Sequence, residues 1–268
     1  MKWIKPYIPP IIVDIFRIFT KKYGYFGSYD SWDAARKESS GYDAGAILEK
    51  VKDATLSVLR GEAVFERDSI TFHVPEYSWE LLSCLLWIAT KEKNTLRVVD
   101  FGGALGSTYS QHKKWFGRLE TSWNIVEQEH FVKTGKELFL NSDVQFFSSI
   151  EDVPLDKTSS TIIFSSVLQY IERPDELLKR VMDQQFKYII IDRTTFIASG
   201  RDRLVVQRVP PQIYEASYPC WFFDEHKLLD TLSSRYEVVC SFSALGGEIH
   251  EPGGVSGSYK GFFLKRKD

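Results

Sequence analysis

The residues best suited to chemistry begin at a glycine-rich turn that follows a short apolar run. The stretch Arg97–Gly106 reads Arg-Val-Val-Asp-Phe-Gly-Gly-Ala-Leu-Gly, with Asp100 at the end of the run and glycines at Gly102, Gly103 and Gly106. Glycine accepts positive φ and lets a ligand approach the main chain closely. In an open parallel sheet, ligands bind beyond the carboxyl ends of the strands. The turn therefore predicts a ligand site, although an ordinary tight βα connection uses the same pattern.

Two later stretches would complete a nucleoside site at the same end of the sheet. Glu127 ends the next predicted strand, 25 residues beyond Gly102. An acid at that position accepts hydrogen bonds from ribose hydroxyls, whereas the alternative is a solvated surface carboxylate. The loop after the third strand contains Ser149 and Ile150, which suit the amino edge and the face of an adenine. An ordinary loop is the alternative there.

The composition restricts the class of protein. The chain has 268 residues, a formal charge of −2 and 43% hydrophobic residues, and its pI is near 6.3. It lacks the basic character of a nucleic-acid-binding protein, so we expect no nucleic-acid partner. Its three cysteines are odd in number and lack paired metal-ligand spacing, so we expect reduced thiols, a cytoplasmic location and no metal site.

Short apolar runs alternate with amphipathic segments from residue 93 onward, which predicts an α/β fold. We expect a Rossmann-like, mostly parallel sheet of seven strands whose last strand is antiparallel. The predicted strands are Leu96–Phe101, Trp123–Glu127, Val144–Phe147, Thr161–Ser165, Tyr188–Asp192, Tyr236–Phe242 and Ser258–Leu264. The predicted helices between them are Ser107–Phe116, His130–Phe139, Pro174–Gln184 and Asp224–Ser234.

Residues 1–92 are expected to form an N-terminal helical cap on a second domain, residues 93–268. Apolar spacing predicts cap helices over Trp32–Lys37, Ala44–Arg60 and Glu76–Lys91. A further amphipathic segment, residues 9–19, begins at two prolines. It could dock on the body of the protein, lie on the inner face of a membrane as a peripheral contact, or contact a second copy in a homo-oligomer.

Three quoted stretches together resemble class I methyltransferases that use S-adenosylmethionine (SAM). They are Val-Val-Asp-Phe-Gly-Gly-Ala-Leu-Gly, Val-Glu-Gln, and Phe-Ser-Ser-Val-Leu-Gln-Tyr-Ile-Glu-Arg-Pro-Asp. Over nearly its full length the chain is similar to a narrower family of methyltransferases often found with surface-polysaccharide biosynthesis genes. This narrower likeness includes the early Tyr-Phe-Gly-Ser-Tyr-Asp-Ser-Trp-Asp-Ala and the later Val-Gln-Arg-Val-Pro.

The resemblance implies a SAM site made by particular residues. Asp100 and the three glycines of the turn would line the methionine and ribose portion, and Glu127 would hold the ribose. Ser166 and Gln169 would lie beside the methionine end. The sequence departs from the usual pattern at Ala104, in the middle of the turn.

Methyl transfer to a hydroxyl needs a base, because the acceptor must lose its proton. Asp192 ends the fifth predicted strand and is the first candidate, while Arg193 could clamp a phosphate or carboxylate of the acceptor. The two could instead form a structural ion pair. His112 is an alternative base, although it lies in the polar run Gln-His-Lys-Lys, which is typical of a solvated helix face.

Residues 196–223 form a connection longer than usual, which predicts a substrate lid. Aromatic planes suit a sugar ring, and arginines suit its diphosphate. The residues predicted to bind substrate are Arg208, Tyr214, Tyr218 and Trp221. A lid packed only for stability is the alternative.

We therefore predict a SAM-dependent methyltransferase that methylates oxygen on a saccharide or on its nucleotide- or lipid-linked precursor. Two other interpretations remain. A glycine turn followed by an acid also fits an NAD-dependent oxidoreductase, but no plausible Tyr-x-x-x-Lys or similar hydride-transfer arrangement lies in the right place. The chain could also be a non-catalytic module with the same fold that recruits partners.

Overall fold

A computed structural model of the chain describes residues 22–41, 44–140, 142–154, 156–211, 213–250 and 256–268. The segment at residues 9–19, with its predicted membrane or subunit contact, lies outside the described residues. None of the helices in the described ranges is both long and apolar enough to cross a bilayer.

Five parallel strands form the centre of the sheet in the order β6–β5–β4–β7–β8. Most of their residues are buried because helices cover both faces, and successive residues of β4, such as Val98 and Val99, belong to cores on opposite faces. The central strands are β4 (Thr95–Phe101), β5 (Glu120–Val126), β6 (Val144–Phe147), β7 (Thr161–Ser165) and β8 (Tyr188–Ile197).

A long antiparallel hairpin completes the predicted part of the sheet. Strand β12 (Ser256–Arg266) pairs antiparallel with β8 and with β11 (Tyr236–His250). The expected antiparallel last strand is therefore confirmed. In the described residues this sheet has ten strands and not the predicted seven.

The three additional strands form a wing beyond the carboxyl end of β7. They are β1 (Gly24–Tyr29), β9 (Arg203–Val209) and β10 (Ala216–Asp224), paired antiparallel in the order β1–β9–β10. Strand β10 pairs in parallel with the carboxyl end of β8, at Phe196 and Ile197. Strand β12 pairs with the opposite edge of β8 at the same level. The wing therefore lies on the edge used by β7, past the point where β7 ends.

Seven helices surround the sheet in the described residues. Helices α2, α3 and α5 contribute to the core on one face of the sheet, and helices α6 and α7 contribute to the core on the other face. The helices are α1 (Trp32–Lys37), α2 (Ala44–Leu59), α3 (Trp79–Lys91), α4 (Ser107–His112), α5 (Glu129–Leu138), α6 (Pro174–Asp183) and α7 (Glu225–Ser233).

The N-terminal region is not purely helical in its described part. The three predicted cap helices form, as α1, α2 and α3, but β1 joins the main sheet and a small hairpin lies between α2 and α3. That hairpin pairs β2 (Phe65–Arg67) with β3 (Ile70–Phe72), and its two phenyl rings stack with centroids 4.6 Å apart. The division of the chain at residues 92 and 93 stays a prediction.

Candidate functional site

The glycine turn after β4 has the left-handed backbone expected of it. Gly102 and Gly106 have φ of 71° and 85°, and Ala104 between them has φ of 48°. A non-glycine residue in this region is strained, and such strain is concentrated at ligand-binding turns. The departure at Ala104 has therefore not changed the form of the turn.

Close packing also accounts for two of the glycines. A Cβ on Gly102 would lie 2.4 Å from Cγ2 of Val167, and one on Gly103 would lie 2.6 Å from Cγ of Asp100. Both contacts are closer than real side chains tolerate. These glycines are consequently required by the fold itself, and the argument for a ligand must depend on the polar groups around them.

Asp100 is buried directly beneath the turn. Its carboxylate accepts a hydrogen bond of 3.1 Å from Nε1 of Trp123, and its side chain has almost no exposed surface. Burial raises the pKa of Asp100 to about 7, against the hydrogen bond from Trp123 that lowers it. The turn is thus built over an acid that changes charge near neutral pH.

Glu127 faces the same turn from the end of β5. One carboxylate oxygen accepts from the main-chain N–H of Ala104 at 3.3 Å, and the other accepts from that of Gln128 at 2.8 Å. Burial raises the pKa of this carboxyl too, with the two main-chain bonds opposing the shift. The carboxylate therefore points toward the glycine turn, as a ribose ligand would require.

The loop predicted to contact adenine makes local contacts of its own. The hydroxyl of Ser149 donates to Asp152 at 2.9 Å, which makes it part of a local turn. Ile150 has no exposed surface and packs in the core beside Val126. The structure therefore presents Ile150 to the protein interior and not to the crevice, and the adenine role of both residues stays a prediction.

The end of β7 brings Ser166 and Gln169 next to β8. Ser166 has φ of 58°, and its N–H donates to the carbonyl of Asp192 at 3.0 Å. Gln169 is fully buried; its amide nitrogen donates to the carbonyl of Arg193 at 3.2 Å, while its Oε1 has no partner. A buried amide oxygen without a partner is costly and suits a ligand donor such as an ammonium group.

Asp192 and Arg193 lie together with Ser165 at the ends of β7 and β8. Ser165 donates its hydroxyl to Oδ2 of Asp192 at 2.7 Å, and Nε of Arg193 is 3.7 Å from the same oxygen. Oδ1 of Asp192 is buried and has no hydrogen-bond partner in the residue ranges that the structure describes. Burial raises the pKa of Asp192, although Arg193 and Ser165 both lower it.

His112 lies beside these two residues, contrary to the solvated position that its polar neighbours indicate. It is only 1% exposed, and Nδ1 lies 2.8 Å from the carbonyl of Thr108. That contact assigns the proton to Nδ1 and leaves the lone pair on Nε2, which makes no hydrogen bond within the described part of the chain. Burial lowers the pKa of His112, against the carbonyls of Thr108 and Ser78 that favour the protonated ring. The ring is thus a neutral base at physiological pH.

One small cavity connects the three predicted catalytic residues. It measures about 10 Å³, room for about one water molecule or one hydroxyl group, and His112, Asp192 and Arg193 all line it. Arg67 from β2 and Ser78 before α3 line it as well. Neither was singled out in the sequence, because no motif there connects them with a site.

A further buried acid, Glu66, was also missed. It lies in β2 near Ser107 and Arg193, and burial raises its pKa to about 7, with Asp68 adding to the shift. Together with the buried Asp100 and Asp192 and the half-buried Glu127 it makes four carboxyl groups with raised pKa values in this region. Such a set favours a positively charged ligand, because a nearby cation stabilises the ionised acids.

The predicted lid folds as β9 and β10, and its substrate candidates divide between two faces of the wing. Tyr214 and Tyr218 share a hydroxyl contact of 3.1 Å, and Tyr218 packs on Tyr170 after β7. Trp221 points to the other face, where it contacts Trp32 of α1, and Arg208 lies over the ring of Phe26. The structure therefore does not bring all four together in one pocket, and their substrate role stays a prediction.

Comparisons with known proteins give structural neighbours only. No family model and no curated protein sequence matches the chain. Among solved structures, the N-terminal domain of EvdMO1 with S-adenosylhomocysteine (SAH) and D-fucose is 15% identical, covers 85% of this chain and 98% of its own, and has a TM-score of 0.46. The 1,6-didemethyltoxoflavin-N1-methyltransferase of Burkholderia thailandensis, bound to SAH, is 14% identical, with 92% and 96% covered and a TM-score of 0.46.

A SAM-dependent methyltransferase from Clostridium acetobutylicum is 9% identical, with 80% of this chain and 97% of that chain covered and a TM-score of 0.46. The Burkholderia and Clostridium neighbours are themselves methyltransferases, and the EvdMO1 domain binds SAH. At such identities and scores the likeness does not decide what this chain does.

Proposed function

We propose that this protein is a SAM-dependent methyltransferase that methylates a hydroxyl oxygen of a saccharide or of its nucleotide- or lipid-linked precursor. The observation that supports it best is a pair of carboxyl groups, the buried Asp100 and the half-buried Glu127, on either side of a left-handed turn at the carboxyl end of β4. This is the place where an open α/β sheet binds a nucleoside ligand. The polysaccharide context comes from the sequence resemblance.

The residues around the turn fit SAM in charge and in donor type. Glu127 would accept from the ribose hydroxyls, and Asp100 with the unpartnered Oε1 of Gln169 would face the positively charged methionine end. Ser166 would lie beside that end. When bound, SAM supplies a methyl group on a sulfonium that is already activated for transfer.

NAD fits the same charges less well. Its pyrophosphate is anionic, and in dinucleotide folds it binds at the helix after the glycine turn. Here that helix, α4, has only six residues, and Asp100 lies beneath the turn with Glu66 near Ser107. Two acids at that position would repel a pyrophosphate, which favours SAM over NAD.

The cavity at Asp192 supports a hydroxyl acceptor. A hydroxyl needs a base, and Nε2 of His112 and Oδ1 of Asp192 are both buried acceptors without a partner. We infer that His112 takes the proton, because burial keeps its ring neutral, while Asp192 orients Arg193 and the acceptor. The reaction otherwise needs alignment and exclusion of water, which a small enclosed cavity provides.

An aromatic cluster next to the cavity supports a saccharide. Tyr77, Trp79 and Trp115 lie with ring centroids 5.1–5.7 Å apart, and the ring of Tyr77 is 6.1 Å from that of His112. Trp79 and Trp115 are 52% and 42% exposed. Exposed aromatic faces of this kind bind the apolar faces of sugar rings.

The predicted substrate residues Tyr214 and Tyr218 would line the acceptor region from the wing, whereas Arg208 and Trp221 would require a second contact surface.

The remaining parts of the proposal concern cellular context. The three cysteines, Cys84, Cys220 and Cys240, are all free thiols, which fits a cytoplasmic enzyme. A peripheral membrane contact or a homo-oligomer would involve residues 9–19. A non-catalytic partner-recruiting module is the alternative, and it would leave the unpartnered groups of the cavity without a purpose.

Two experiments test the proposal. Calorimetric titration should give micromolar or tighter binding of SAM and none of NAD, with Glu127→Gln weakening SAM binding and the exposed Glu120→Gln, at the start of the same strand, leaving it unchanged. Mass spectrometry of surface glycans and sugar nucleotides should then show one methyl group fewer in cells that lack the protein. A preference for NAD would overturn the assignment, and intact glycan methylation would overturn the saccharide acceptor.

A further inference from the structure

Four buried polar atoms that have no hydrogen-bond partner among the described residues belong to residues that line the cavity at Asp192. They are Nη1 of Arg67, Oγ of Ser78, Nε2 of His112 and Oδ1 of Asp192. Buried polar atoms are nearly always hydrogen-bonded, because leaving one without a partner is costly. Four at one cavity therefore indicate a site built for a polar group from outside the chain.

We propose that Arg67 and Ser78 bind the acceptor hydroxyl, so that the hairpin β2–β3 and the loop before α3 complete the active site. This inference rests on the proposed function. Together the four atoms provide the hydrogen-bond donors and acceptors that one hydroxyl group needs. Arg67 and Ser78 can donate to its oxygen, while His112 or Asp192 can accept its proton.

Arg67 is held rigidly for this role. Its Nη2 makes an ion pair of 2.7 Å with Glu76, and its guanidinium carbon lies 5.1 Å from the ring centroid of Phe72 and 5.9 Å from that of Phe65. These contacts fix the side chain and leave Nη1 as the free donor. A preorganised donor costs no reorganisation during the reaction.

Ser78 shows the same arrangement from the other side. It is the residue before α3 and is only 3% exposed, yet its hydroxyl makes no capping bond to the helix. A serine at this position ordinarily accepts from a main-chain N–H of the first turn. Its hydroxyl is therefore available to the cavity.

The proposed step places Arg67 where negative charge develops. The acceptor hydroxyl gives its proton to Nε2 of His112, its oxygen forms a bond to the methyl carbon, and the carbon–sulfur bond breaks with its electron pair left on sulfur. Arg67 and Ser78 stabilise the oxygen as it loses the proton.

The activity test uses purified full-length protein, tritium-labelled SAM and polar and lipid extracts from cells that lack the protein. Arg67→Gln should lower the rate of methyl incorporation by about 10²–10³-fold, the usual loss on removing one such donor. Arg67→Lys should recover at least about tenfold of that, and Ser78→Ala should lose about tenfold. The affinity for SAM should stay within about threefold of wild type throughout.

The matched control is Arg60→Gln, an exposed arginine after α2, which should leave the rate unchanged. A rate for Arg67→Gln within threefold of wild type, in a folded protein that binds SAM, would overturn this inference and leave the proposed function standing. If the wild-type protein transferred no methyl group to any extract, the proposed function would fail and this inference with it.

A second measurement does not depend on the acceptor. The charge of Arg193 lowers the pKa of His112, Tyr77 before α3 contacts its ring, and Arg67 from β2 and Asp192 from β8 line the same cavity. Removing one cation should make protonation easier, so in ¹⁵N-histidine NMR the pKa of His112 should rise in Arg67→Gln and not in Arg60→Gln. An unchanged titration of His112 in the folded Arg67→Gln protein would show that the guanidinium does not face the ring, and would also overturn the inference.

Discussion

Ser165 and Asp192 are register partners on neighbouring parallel strands, and the hydroxyl of Ser165 donates to Oδ2 of Asp192 at 2.7 Å where the pairing of the two strands ends. The two carboxylate oxygens of Asp192 therefore have different surroundings. Oδ2 is held by Ser165 with Arg193 close by, whereas Oδ1 is buried without a partner beside the cavity. The carboxylate is thus fixed in orientation and still has one oxygen available to a ligand.

Asp192→Asn should reduce methyl transfer while leaving the fold intact. The amide keeps the shape but loses the charge that orients Arg193, so we expect a loss of about 10²–10⁴-fold in kcat. The melting temperature should stay equal or rise, because a buried carboxylate whose pKa is raised by burial is replaced by a neutral group. Tritium incorporation and thermal unfolding measure the two effects. A fall in melting temperature of many degrees would mean that Asp192 is structural.

His112 should determine the acid limb of the pH–rate profile. Because burial lowers its pKa below the ordinary 6.5, the ring stays neutral down to mildly acidic pH and the rate should fall only below that value. His112→Gln should lower kcat and remove this limb. The raised pKa of Asp192 would add a second limb to the profile. The profiles with and without His112→Gln are therefore best compared in proteins that also carry Asp192→Asn. A profile unchanged by His112→Gln would exclude the histidine as base.

Asp100 should couple SAM binding to a proton near neutral pH. Its pKa is about 7 in the free protein, and a bound cation would favour the ionised form. SAM affinity should therefore increase from pH 6 to pH 8, with proton release visible as a dependence of the calorimetric heat on the buffer. Asp100→Asn should weaken binding at pH 8 and flatten the dependence, while the exposed Asp53→Asn should not. Equal affinities at both pH values in the wild type would contradict this.

Much of the sheet could be predicted because buried strands leave a local signal. The five central strands are short apolar runs, and their predicted bounds match those of β4 to β8 at most ends. The wing could not be predicted in the same way, because β1 pairs with β9 from a distant part of the chain. Tyr25, for example, pairs with Gln207. Pairing between such distant segments depends on tertiary contacts that a local pattern does not contain.

The site was predictable where it follows strand ends and not where the N-terminal region covers it. Asp192, Glu127 and the glycine turn follow from the rule that ligands bind at the carboxyl ends of parallel strands. His112 appears solvated from its neighbours in sequence, but it is buried in a cavity that Arg67 and Ser78 also line. A covering segment of this kind changes burial without changing the local pattern, so Arg67, Ser78 and Glu66 left no signal.

Glu66 should make the protein less stable as the pH rises. Burial raises its pKa from 4.5 to about 7, so between these values the folded state holds a proton that the unfolded state has lost. The stability from this group is present below pH 4.5 and is lost as the pH rises through 7. Glu66→Gln should therefore raise the free energy of unfolding by about 1–3 kcal/mol at pH 8 and change it little at pH 5.

Thermal unfolding at the two pH values measures this difference, and the exposed Glu62→Gln is its control. Asp100 titrates with the same sign, so some pH dependence should persist in Glu66→Gln. An equal stability difference between Glu66→Gln and wild type at pH 5 and pH 8 would show that the carboxyl is ionised in the folded protein throughout.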